Sequence, residues 1–290
     1  MGALPLFLVI ISTFMHAAWN LSAKSRLDKR LFFRRMLGFV AAAGFVPAAL
    51  SEISAGSIPP AAWLLCLGSG LFCGSYFYFL ARSYESADFT VAYPVARALP
   101  VLLIAAGDVL RGRPPTPAAA AGLFLVAAGC LLAPLESFRE VKLRRYFNRG
   151  SLFMLLAAAG TVGYSLLDKI AQEAVAAGHA SAFRYGYFFY LFTFLVYSLY
   201  PVKGKTGGNS PCGNLRPPLV CGVISFISYS LILWAYQLTE QASYVVAFRQ
   251  FSIVIGVVTG LHIFREKGMA VRLAGSLLLT AGLVLIAVRG

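Results

Sequence analysis

Two arginines stand in stretches where an apolar chain has little reason to place a charge. Arg97 lies in YPVARALPVLL (93–103) and Arg249 in FRQFSIV (248–254). An ionised side chain at the centre of a bilayer costs roughly 3 kcal/mol on insertion scales, so it faces a partner or a wet cavity. Counting 1.5 Å per residue from a helix start near Phe89 puts Arg97 about 12 Å deep, too far in to reach the interface. Arg249 lies about 10 Å into its own span by the same count. Two guanidiniums turned to one cavity would hold an anionic or zwitterionic group through forked hydrogen bonds. The competing reading is structural: each arginine pairs with a carbonyl or an acid of its own half.

Other residues can complete such a site. Tyr93, Trp19, Asn20 and Tyr164 are candidate substrate contacts beside the arginines. His16 sits deep in the first span with Trp19 and Asn20 one turn along the same face, and a histidine there can titrate near neutral pH or act as hydrogen-bonding glue. Asp108 and Asp168 are the acids placed to relay a proton or pair with a base; the alternative for both is a boundary charge in solvent. Asp168 and Lys169 are sequence neighbours that do not face one another on a helix, so they should have different partners. Pro94 and Pro100 flank Arg97 and are hinge candidates, because proline removes a backbone donor and kinks a helix. The aromatic runs SYFYFLARSY (75–84) and SYSLILWAYQ (228–237) either line a cavity or form packing and interfacial belts. Five cysteines and three histidines show no metal-ligand spacing, so no metal and no cofactor is expected.

The elements that must carry these residues are membrane spans. Of 290 residues, 59% are hydrophobic and 12% charged, about half the charged share of a soluble domain. Ten apolar runs of spanning length follow one another: 4–22, 31–50, 62–81, 89–110, 117–134, 151–168, 182–200, 217–236, 242–263 and 270–288. They lack the alternation of barrel strands, so an all-α integral membrane protein is expected. The first run has no basic segment before it and no good cleavage region, so it is expected to be retained.

The net charge of +14 argues for sidedness rather than a nucleic-acid partner. One face collects Lys24, Arg26, Lys29, Arg30, Arg34 and Arg35 after the first span and Arg139, Lys142, Arg144, Arg145 and Arg149 after the fifth. The other face has only Arg111, Arg113, Lys169, Arg184 and Arg289. The positive-inside rule then makes the first face cytoplasmic, with both termini outside a cell (inner) membrane.

The chain also repeats itself. AGLFLVAAG (121–129) matches AGSLLLTAG (274–282), with an Ala-Gly pair at each end. HAAWNLSAK (16–24) matches TVGYSLLDK (161–169), setting Trp19 against Tyr164, and ARALPVL (96–102) matches FRQFSIV, setting Arg97 against Arg249. The halves are 1–136 and 151–290, joined by a basic loop at 137–150. Five spans per half is an odd number, so the copies are inverted. Inverted repeats are the architecture of secondary transporters, with the solute at the midplane.

Taken together, HAAWN, YPVARALPVL, GYSLLDK and FRQFSIVIGV running to FREK resemble the drug/metabolite transporter superfamily, in its EamA-type members with ten helices in two repeats. The resemblance implies a solute carrier, usually an exporter of metabolites, amino acids or drugs, often driven by an ion gradient. Such members commonly carry Gly-Glu after the fourth and ninth helices, where this chain has Arg113-Pro114 and Arg265-Glu266; many are drawn with cytoplasmic termini, against the charge count. The expected function is secondary active transport by alternating access, the solute held by Arg97, Arg249, Tyr93, Trp19, Asn20 and Tyr164. The expected partners are a small anionic or zwitterionic solute, a coupling proton or ion, the lipid bilayer and, as an option, a second copy in a homodimer. The other classes are a non-transporting structural or regulatory subunit and an intramembrane lipid-modifying enzyme, for which neither HExxH nor a Gly-x-Ser-x-Gly elbow is present.

Overall fold

The computed structural model describes residues 2–24, 28–85, 89–133, 135, 137, 149–201, 214–255, 258 and 269–289; within its helices the side chains of 24, 84, 85, 89–97, 151 and 269 lie outside the description. The expectations on the Tyr93, Pro94 and Arg97 side chains therefore fall outside the described residues. Every described element is a helix, in the order α1 (Ala3–Lys24), α2 (Lys29–Ala55), α3 (Pro60–Glu85), α4 (Phe89–Leu110), α5 (Pro117–Leu132), α6 (Arg149–Ala174), α7 (His179–Leu199), α8 (Arg216–Gln237), α9 (Ala242–Arg249) and α10 (Met269–Arg289). Six of them (α1, α2, α3, α6, α8 and α10) contain stretches long and apolar enough to cross a membrane, and shorter apolar helices cover Ala98–Leu110, Pro117–Leu132 and Ala242–Ile255. In lipid each backbone group needs an internal partner, and helices supply it.

Start and stop signals are local. Asp28 accepts a hydrogen bond from Leu31 N at 2.9 Å and opens α2, which ends on Gly56 in the left-handed region at φ 54°. Thr116 opens α5, accepting from Ala119 N with Pro117 at the first helical position. The α4 helix runs from Phe89 to Leu110 without a break in its helical course through residues 94 and 100.

α3 packs on α6 and α7, α1 on α8 and α9, α2 on α7 and α8, α4 on α5, α6 and α9, and α5 on α10. The α5–α10 contact explains the repeated Ala-Gly pairs. A Cβ at Gly122 would lie 2.7 Å from the Gly282 carbonyl oxygen, and one at Gly129 would lie 2.6 Å from that of Gly275. Glycine meets glycine at two crossings, and the backbones touch as small residues permit in membranes. The α1–α8 seam uses hydroxyls instead: Ser12 Oγ donates to the Ser228 carbonyl at 2.7 Å, and Ser228 Oγ returns a bond to the Ser12 carbonyl at 2.9 Å.

Gly122→Leu should overfill the α5–α10 crossing and cost about 1–3 kcal/mol, seen as a lower unfolding midpoint in detergent. Ala121→Leu, whose site is exposed, should leave that midpoint unchanged.

Candidate solute site

A cavity of about 20 Å3, room for one water, lies among α1, α3, α6, α7, α8 and α9. His16 and Trp19 come from α1, Tyr76 and Phe77 from α3, Tyr164 from α6, Tyr190 from α7, Ser225, Ser228 and Tyr229 from α8, and Arg249 from the end of α9. The rings interlock edge to face: Tyr164 lies 5.8 Å from Tyr76 and 5.7 Å from Tyr229, and His16 lies 4.9 Å from Trp19. Arg249 places its guanidinium carbon 5.5 Å from the centre of the Tyr229 ring, a cation–π distance, and its Nε has no hydrogen-bond partner among the described residues. Among those residues no carboxylate lines the cavity, so its charge is that of Arg249.

The helix under Arg249 is interrupted. After α9 ends, Gln250 N donates to the Ala247 carbonyl at 2.9 Å, and helical backbone resumes at 251–255. Ser252 Oγ and Gln250 Nε2 bond back to the carbonyls of Arg249 and Val246 at 3.0 and 3.2 Å. Such back-bonding offers the backbone an alternative to the helical ladder. The interruption beside the cavity therefore lies at the end of α9. Its only signal was two polar residues in an apolar run.

Of the expected site residues, His16, Trp19, Tyr164 and Arg249 are brought together. Asn20 stands one step away, with Nδ2 3.0 Å from His16 Nε2. Pro100 is buried in α4 and does not line the cavity. The expectation missed Tyr76, Tyr190, Ser225, Ser228 and Tyr229; the aromatic runs were noted, but their inward turn depends on packing.

The acids go to different places, and neither is a solvent charge, since both are 0% exposed. Asp168 accepts from Tyr185 Oη at 2.8 Å and from Tyr229 Oη at 2.5 Å. Because Tyr229 also lies against Arg249, one ring separates the cavity's cation from a buried carboxyl. Asp108 instead accepts from the backbone N–H groups of Ala242 and Ser243 at 3.0 and 2.8 Å, so α4 caps the start of α9 and meets its positive dipole end. Lys169 has different partners from its neighbour, as expected: it donates to the carbonyls of Tyr236 at 2.8 Å and Thr239 at the end of α8, and it pairs with Glu173 at 3.1 Å.

These contacts form a belt at one end of the bundle. Glu173 also binds Arg111 at 2.6 Å and Arg113, while Glu52 accepts from Ser57 Oγ and the Ile58 N–H and pairs with Arg184 at 3.3 Å. Ala176 N reaches the Ser57 carbonyl at 3.0 Å, and Thr116 Oγ1 reaches that of Arg289 at 2.8 Å, so the turns after α2, α4, α6 and α8 meet the end of α10 here.

Asp108→Ala should leave two buried N–H groups unpaired and cost about 1–3 kcal/mol. Asp108→Asn, which keeps one acceptor, should recover part of that loss in the same detergent unfolding assay.

Residues 3–134 match the family model described as the EamA-like transporter family. A solved structure described only as "Crystal structure of protein" superposes with a TM-score of 0.69 over 98% of this chain and 97% of that one, at 16% identity, a likeness of fold. No match was found among curated proteins. The apolar helices and the family match together make this a multi-pass membrane protein, and over residues 3–134 the chain is similar to the EamA-like transporter family.

Proposed function

We propose that the chain is a secondary active transporter that moves a small anionic or zwitterionic solute by alternating access. The observation that carries this reading is Arg249, a cation with an unpartnered Nε in an aromatic cavity beside a helix break. Interrupted helices at the midplane are how transporters free backbone and charge for a solute. The anionic group docks on Arg249, with Tyr164 and the Ser225 and Ser228 hydroxyls beside it, while the rings enclose the body. The described conformation holds space for a water only. A solute therefore requires the helices to separate.

Ten spans in two inverted five-helix repeats, 1–136 and 151–290, are part of this reading. Exchanging each helix for the one five places away turns the α3–α6 contact into α8–α1, α3–α7 into α8–α2 and α4–α6 into α9–α1. The contacts α5–α10, α2–α7 and α4–α9 map onto themselves, as a two-fold relation requires. By that relation Arg97 is the counterpart of Arg249. The belted end is the outer face of the cell membrane, carrying both termini. Arg111, Arg113, Lys169 and Arg184 there are bound to carboxylates or carbonyls, and the larger count of basic residues on the other face makes that face the cytoplasmic one. Outward release, the direction of an exporter, then requires the Glu173 contacts to part. Asp168 carries the coupling proton and senses the cavity through Tyr229, with His16 the second titratable group at the wall.

In proteoliposomes, counterflow of labelled carboxylates and amino acids should be present with the native chain. Arg249→Ala should weaken binding of the transported solute by about 10- to 100-fold, the loss of a charge-assisted contact of about 1.5–3 kcal/mol; a folded native protein that moves no solute of a broad panel overturns the reading. Asp168→Asn should retain solute binding and exchange but lose the dependence of net flux on a pH gradient, measured as uptake with and without that gradient.

A further inference from the structure

A second, larger cavity of about 490 Å3 lies on the outside of the bundle between α2, α7 and α8. Its wall is apolar along Phe39, Val40, Pro47, Phe183 and Phe226, and it changes character only at Ser51 and Arg184. Ala43 and Pro47 of α2 and Val223 of α8 are exposed, so the groove opens toward the surroundings of the bundle rather than its core. Gly44 is part of its floor, where a Cβ would run into the Tyr187 ring at 2.5 Å. Pro47, inside α2, cannot donate to the helical ladder.

We infer that this groove holds one acyl chain of a bilayer phospholipid, with its phosphate at Arg184. The inference rests on membrane residence and not on transport. Two magnitudes agree. From Phe39 to Ser51 the wall runs about 18 Å along α2, close to one leaflet, which is about half of a 30 Å hydrocarbon core. At roughly 30 Å3 per water-sized group, the volume takes on the order of sixteen methylenes. An apolar void of this size does not hold water. Hydrocarbon is the material the bilayer offers to fill it.

The polar end fits the other half of a lipid. Arg184 stands in the first turns of α7, where the helix reaches the belted end of the bundle. Its Nε donates to Ser57 Oγ at 3.0 Å and its Nη1 to Ser51 Oγ at 3.3 Å, with Glu52 at 3.3 Å. The side chain is 19% exposed. These contacts fix a guanidinium and a hydroxyl at the mouth of the groove, the donors that a phosphate oxygen takes. The Glu52 carboxylate holds the arginine in place from behind, so its charge is directed rather than free to swing.

The test is native mass spectrometry of the full chain released from detergent after equilibration with phosphatidylglycerol or diacylglycerol of matched chains. The native chain should retain one phosphatidylglycerol per copy, at least fivefold over diacylglycerol. Arg184→Gln should bring the two lipids to parity. Ala48→Phe paired with Val223→Phe, which fills the groove, should lower retention of both at least fivefold. Unfolding midpoints measured without lipid report whether each variant is folded. Equal retention by the native and the folded filled protein overturns the inference, and so does a native chain that holds both lipids equally. If the filled variant does not fold, the native preference and its loss in Arg184→Gln decide alone. Failure of solute counterflow leaves these outcomes unchanged, so this inference and the transport reading fail separately.

Discussion

A polar group inside hydrocarbon has to find its partner within the protein, and that constraint orders this structure. The buried acids and the buried lysine obey it by reaching across to another helix. Asp108 of α4 takes the free N–H groups of α9, Glu52 of α2 takes the Ile58 N–H in the turn before α3 and pairs with Arg184 of α7, and Lys169 of α6 takes carbonyls at the end of α8. Each contact satisfies a helix end and a side chain at once. Because these helix ends meet at one end of the bundle, that end becomes a belt of shared charges.

The cavity holds a different case. Arg249 keeps an Nε without a partner among the described residues, although it is held among aromatic rings where a cation costs most. Buried hydroxyls such as those of Ser230 and Ser276 likewise have no hydrogen-bond partner among the described residues, whereas Ser12 and Ser228 pair with each other. In the transport reading proposed above, the partner of that donor is the solute, and Asp168, one tyrosine away, is the group that responds to it.

Close packing works by a different rule. In lipid, hydrocarbon gains little by leaving hydrocarbon, so helices associate through small residues and hydrogen bonds. Gly122 against Gly282 and Gly129 against Gly275 bring α5 and α10 together, and hydroxyls close the α1–α8 seam. Tyr187 of α7 donates to the Ala41 carbonyl of α2 at 2.6 Å, but around Pro47 the α2, α7 and α8 faces stand apart. They leave a groove where the bundle meets its solvent, which here is the bilayer.

The sequence by itself determined the apolar spans, their order, the repeated Ala-Gly pairs and the placing of a charge, Arg249, within an apolar run. Those follow from local properties: length of an apolar run, spacing along one helix, and the cost of a charge in hydrocarbon. It also separated Asp168 from Lys169, because adjacent residues on a helix point apart. Only tertiary structure decided what the acids do. Asp108 reads as a boundary charge until the start of α9, more than a hundred residues later, is brought beside it. The aromatic runs could equally have faced lipid; packing turned Tyr76 and Tyr229 inward and left Leu71 and Val223 outside. The helix break at Gln250 lies where side chains offer the backbone a substitute bond and a neighbouring cavity gives it room. Such choices are made between helices, and no spacing within one helix records them.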